Sequence, residues 1–135
     1  MRRQFIIDGN NFDDLEGFYC EIDKLLTNGL TWKTGHNLNA FNDLLRGGFG
    51  VQEYNEPILL VWKNFKKSSA DFGHKGTARY YEKMLTICHP TNISHVMNLL
   101  ENAKNQTGKT LMDNVVEIIL DTNNSGHDCE LVTLD

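Results

Sequence analysis

The sequence predicts an α/β domain: a small parallel sheet of three strands packed by helices. Two patterns carry that prediction. Short apolar runs at residues 4–7, 57–62 and 129–134 are separated by longer stretches whose apolar residues recur at helical spacing. The middle run, Pro57-Ile58-Leu59-Leu60-Val61-Trp62, has no polar alternation, which fits a central strand covered on both faces. A length of 135 residues makes this one domain, long enough to bury a core.

Each element has a local reason. Gln4-Phe5-Ile6-Ile7 reads as a short buried strand, and Asp8-Gly9-Asn10-Asn11 is a turn cluster whose residues tolerate positive φ. The first helix is expected to begin near Asp13, with Asp13 as its cap and Glu16 three residues on in a capping box. Leu15, Phe18, Tyr19, Ile22, Leu25 and Leu26 form its apolar face, and Asn28-Gly29 stops it. Residues 32–36 read as an exposed loop. Asn37 can cap a second, short helix with Leu38, Phe41, Leu44 and Leu45 on one side, ended by Gly47-Gly48. Pro57 stands at the start of the central strand, where a missing donor does little harm. Residues 66–110 hold two helical patterns, one with Tyr81, Met84, Leu85 and Cys88, the other with Ile93, Val96, Met97, Leu100 and Ala103. His89-Pro90 separates them, because proline disfavours helical geometry in the residue before it. Thr110 begins a last capped helix with Leu111, Val115, Ile118 and Ile119 buried, terminated by Ser125-Gly126. The order is β-α-α-β-(α-α)-α-β, so right-handed crossovers and a parallel sheet are expected.

Composition narrows the function. The net charge is −5 and the isoelectric point about 5.5, which argues against a general binder of nucleic acid or membrane surfaces. The charge is uneven: residues 1–65 carry −3, residues 66–110 carry +4 and residues 111–135 carry −6. Such asymmetry produces a field that can steer a charged partner. No apolar run is long enough to span a bilayer, and residues 1–5 have no signal-peptide character. Three cysteines, Cys20, Cys88 and Cys129, with no CxxC pair fit the reduced thiols of a cytoplasmic protein.

Three enzyme-like patterns fail on physical grounds. Ala103-Lys104-Asn105-Gln106-Thr107-Gly108-Lys109-Thr110 resembles a phosphate loop, which would make a small nucleotide-binding enzyme built on Lys109. Such a loop needs a strand before it, whereas residues 93–103 have helical spacing. Cys88, His89 and His95 on one side, and His127-Asp128-Cys129 on the other, lack the paired short spacing of a structural zinc site. Cys20 sits inside a helix with no elbow to present it, and His36 has no nucleophile beside it. No catalytic residue, metal or other cofactor is therefore expected, and binding is the better reading.

The stretch Gly35-His36-Asn37-Leu38-Asn39-Ala40-Phe41-Asn42-Asp43-Leu44-Leu45-Arg46-Gly47 resembles the recognition helix of the barstar family of ribonuclease inhibitors. Three further blocks agree in order: Ile6-Ile7-Asp8-Gly9, Ile58-Leu59-Leu60-Val61-Trp62-Lys63-Asn64-Phe65, and residues 115–134 with Gly126 and Leu131-Val132. The resemblance covers about 90 residues, all outside 66–110. It implies one barstar-like domain, with a core of residues 1–65 and 111–135 and a helical insertion at 66–110. It also implies a non-enzymatic immunity protein or antitoxin. Such a protein plugs the active site of a cognate nuclease toxin, as a monomer forming a 1:1 heterodimer, with no direct contact to nucleic acid or membrane. Asp43 matches the family's dominant carboxylate, Asp121 a second acidic contact, Lys33, Thr34 and Gly35 the loop leading into the helix, and Gly47 the glycine after it. His36, Asn39, Asn42 and Arg46 complete the implied partner-binding set. This face departs from the family pattern. Asn39 replaces an Asp, Asn42 and Gly48 replace aromatics, Arg46 adds a positive charge, and Glu53 and Glu56 add acids in a longer connection. A nuclease with a differently shaped or less basic cleft is the implied partner. The alternative keeps the scaffold and neutralises the toxin away from its active site, through Lys66, Lys67, Lys75, Arg79 and Lys83.

Overall fold

The computed structural model describes residues 2–26, 38–46, 56–121 and 128–135, with Asn39 and Arg46 described by their backbone alone. Three strands, β1 (Arg3–Asp8), β2 (Ile58–Lys63) and β3 (Cys129–Thr133), form one sheet in the order β1-β2-β3. Both pairings are parallel, with Phe5 opposite Leu60 and Leu60 opposite Leu131. The unalternating apolar run is thus the middle strand, as expected. Ile58, Leu60 and Trp62 are fully buried on one face and Val61 is buried on the other.

Among the described residues, six α-helices accompany this sheet: α1 (Leu15–Leu26), α2 (Leu38–Arg46), α3 (Phe65–Asp71), α4 (His74–Met84), α5 (Ile93–Lys104) and α6 (Leu111–Leu120). The core is centred on Trp62. Its ring stacks on Phe18 at a centroid distance of 5.3 Å and meets Phe65 edge-on at 5.2 Å. Phe18 in turn meets Phe41 of α2 at 5.2 Å, so one aromatic chain ties sheet, α1 and α2 together. Each such pair is worth about 0.5–1.5 kcal/mol beyond its area burial. The indole N–H finds its acceptor in Ser68 Oγ at 3.0 Å, inside the core.

Gly9 makes that arrangement possible. A Cβ there would lie 2.4 Å from Ser68 Oγ and 2.7 Å from the Asn64 carbonyl oxygen, so α3 can approach the β1 turn only over a glycine. Asn64, at φ 55°, turns the chain from β2 into α3 and donates its amide to Asp8 Oδ1 at 2.8 Å. This hydrogen bond, together with one from the Asn10 N–H, holds the Asp8 carboxyl below its ordinary value.

Four local expectations are corrected. The cap of α1 is Asp14, one residue later than expected, and its Oδ1 accepts from the Gly17 N–H at 2.8 Å. Asp13 is drawn aside by Lys67, with Nζ at 2.8 Å. A helix not anticipated, α3, opens the basic segment, and α4 ends at Met84, leaving Cys88 beyond it. Ile93 and Met97, part of the expected apolar pattern of α5, are 39% and 55% exposed, and α5 buries Val96, Leu100 and Ala103 instead. Finally, α6 stops at Leu120, before Ser125-Gly126, with Asp121 leaving helical geometry at φ −82° and ψ 73°. The expected stops Asn28-Gly29, Gly47-Gly48 and Ser125-Gly126 and the cap Asn37 lie outside the described residues.

Candidate functional site

The site is built on α2. Its sequence, Leu-Asn-Ala-Phe-Asn-Asp-Leu-Leu-Arg, is an amphipathic helix whose Phe41, Leu44 and Leu45 are buried while Asp43 is exposed. The inward face packs against α1 and α6, so the rotation of the helix is set by the core and Asp43 is held outward. Asn42 is half-buried, and its Oδ1 has no hydrogen-bond partner among the described residues.

Asp121 enters through α6. It follows the last residue of that helix and is half-buried. Because α2 packs on α6, the two elements bearing the candidate carboxylates are neighbours. The position of α6 is fixed at its other end. Thr110 Oγ1 accepts from the Asp113 N–H at 3.1 Å, and the Asp113 carboxylate accepts from the Thr110 N–H at 2.9 Å, a capping box at the expected cap. The Leu111 N–H donates to buried Thr77 Oγ1 at 2.9 Å, the Met112 N–H to the Phe72 carbonyl at 3.2 Å and the Asn114 N–H to the Thr110 carbonyl at 3.1 Å. Every free N–H of the first turn thus has a protein acceptor. Thr77 and Phe72 belong to the basic segment, which sequence reasoning had not connected to the site.

The same hydrogen bonds dispose of the phosphate-loop pattern. Its helix offers no open N–H group, a helix and not a strand precedes it, and Lys109 is paired with Glu117 at 2.8 Å. Among the described residues no three metal-ligating side chains converge. His89 Nδ1 accepts from the Thr91 N–H at 3.2 Å, and burial pushes the Cys129 thiol up to about 12. Of the implied partner-binding residues, Lys33, Thr34, Gly35, His36 and Gly47 lie outside the described residues.

The basic segment is less available than its charge count implied. Lys67 Nζ lies within 2.8–3.1 Å of four oxygens: those of Gly9 and Phe12 on the main chain, Asp13 Oδ1 and Asp71 Oδ2. It clamps the β1 turn to α3 and is removed from any outward-facing basic patch. Lys66, Lys75, Arg79 and Lys83 remain exposed.

The small parallel sheet thus holds a short amphipathic helix with Asp43 exposed and the opposite face locked in the core. The family model for Barstar (barnase inhibitor) matches residues 2–129, including the basic segment. The chain belongs to the barstar family, an inhibitor family whose members bind a ribonuclease. Neither a curated protein nor a solved structure matches it. No described helix is long and apolar enough to cross a membrane.

Proposed function

We propose that the protein is a cytoplasmic immunity protein or antitoxin. It binds a cognate nuclease toxin, a ribonuclease, and blocks the toxin's active site with α2, residues 33–36, Gly47 and Asp121. The observation that carries this reading is Asp43, exposed on a helix whose other face is fully committed to the core. A nuclease cleft is cationic because it must hold phosphates. A carboxylate on a rigid helix can take a phosphate position there and accept charge-assisted hydrogen bonds from Arg, Lys or His. The acidic stretches of the chain add long-range attraction, which raises the association rate more than the affinity. The inhibitor supplies no chemistry; it excludes substrate by occupancy, as a monomer in a 1:1 complex.

The interface should bury roughly 800 Å² per partner. Asp43→Ala should weaken the complex by about 2 kcal/mol or more if the residue is a hot spot. Calorimetry on the cognate pair, with RNA cleavage as the second readout, checks this. A loss of a few tenths, or continued RNA cleavage in the saturated complex, refutes the active-site reading.

A further inference from the structure

Away from α2, a cavity of about 600 Å³ opens between the first half of α1 and the length of α4. Its floor is apolar, with Leu15, Phe72 and Leu111 buried, and Tyr19 and Tyr80 bring aromatic bodies to it. Its wall carries Ile87, 73% exposed, a large aliphatic side chain left in water at the edge of a groove. The two lips have opposite sign. On the α1 side stand Asp13, Asp14 and Glu16, and Asp13 shares the ammonium of Lys67 with Asp71 at the end of α3. On the α4 side stand Arg79 and Lys83, one helical turn apart, both exposed and with no ion-pair partner among the described residues.

We propose that this groove docks an amphipathic helix of a partner protein. The helix lays aliphatic side chains on the floor, a Lys/Arg flank against α1 and an Asp/Glu flank against α4. Charge complementarity selects this occupant. A small anionic amphiphile would meet Arg79 and Lys83 but be repelled by the negative lip across the groove, whereas a helix carries both signs on opposite flanks. Two helices form the lips, and a third helix seats between them by ordinary ridge-into-groove packing. The surface is distinct from α2, so the inference stands independently of how the nuclease is bound.

The test uses the full chain and fluorescein-labelled peptides of about four helical turns, with leucines on one face. One peptide has a Lys flank and a Glu flank, one has Glu on both, and one has Lys on both. By anisotropy the mixed peptide should bind about ten-fold tighter than either uniform one. In R79E/K83E the mixed peptide should weaken by about ten-fold and the all-Lys peptide should tighten. Ile87→Asp, at a site exposed enough to leave the melting temperature unchanged, should weaken all three, and Asp43→Ala none. Equal affinity of the three peptides, no binding of the mixed one, or indifference to R79E/K83E overturns the proposal. So does saturable binding of decanoate, lost in R79E/K83E, where no peptide binds.

Discussion

The basic segment contains two helical stretches of similar look and opposite mechanical standing. Residues 65–77 are part of the core: Ser68, Phe72 and Thr77 are almost wholly buried, and each makes a hydrogen bond or ring contact to another part of the fold. Residues 93–104 rest on α4 alone among the larger packings, bury Val96, Leu100 and Ala103, and leave Ile93 and Met97 in water. Residues 65–77 carry a net charge of +2 and residues 93–104 none. Their mechanical difference lies in where the small polar residues go. Ser68 and Thr77 point inward and hold the donors of Trp62 and of α6. Excising 66–110 as a block would therefore remove the anchor of α6, and with it the support of Asp121. Loss of inhibition in such a deletion would say nothing about the basic surface.

The contrast predicts unequal costs for truncation. Phe72→Ala empties a fully buried aromatic site stacked on Phe12 and should cost about 3–5 kcal/mol. Val96→Ala, on the outboard helix, should cost about 1.5 kcal/mol from lost burial. Urea unfolding of the two variants measures the difference, and equal costs would erase the distinction between the stretches. A finer probe is Thr77→Val, which keeps the shape and removes the acceptor of the Leu111 N–H. Leaving that buried donor unmet should cost about 1–3 kcal/mol. Amide exchange at Leu111 should accelerate before exchange in β2 does, because the loss is local to the start of α6.

These residues mark the limit of what the sequence discloses. The strands and the start of α6 were legible because their signals are local: an unalternating apolar run for β2, and Thr110 as a cap before an apolar helical pattern. Asp43 was legible because a motif surrounds it. Helix α3 was not, since its seven residues carry no sustained apolar period and the residue before it, Asn64, sits in left-handed geometry with no side-chain cap. Buried Ser68, Thr77 and Glu21, and half-buried Lys67, read as surface residues in any local window. Their partners lie elsewhere in the chain: Glu21 accepts from the Asp8 N–H at 3.0 Å, and Lys67 reaches Gly9. The groove is hidden for the same reason, because its lips are joined only by the fold.

The smallest predicted effect concerns Lys67, which belongs to the integrated stretch by its hydrogen bonds though its side chain is over a third exposed. Its partners Asp13 and Asp71 raise its pKa above the ordinary 10.5, and Lys67 in turn lowers that of Asp13 below the ordinary 3.8. The sign follows from linkage. The raised lysine adds stability that is complete below 10.5 and fades as pH climbs through its folded value. The lowered aspartate adds stability that is complete above 3.8 and fades as pH falls through its folded value. The clamp is thus intact across neutral pH and weakens at both extremes. The alkaline limb is shared, because the buried Cys129 thiol, pushed up to about 12, also costs stability once the unfolded thiol ionises above 9. The acid limb is shared too, because the Asp8 carboxyl is also held below its ordinary value, so Lys67→Met should flatten each limb of a melting-temperature profile only in part. An acid limb unchanged by the substitution would mean that Asp13 draws nothing from the clamp, and that residues 65–77 are held by their apolar contacts and the two buried hydroxyls alone.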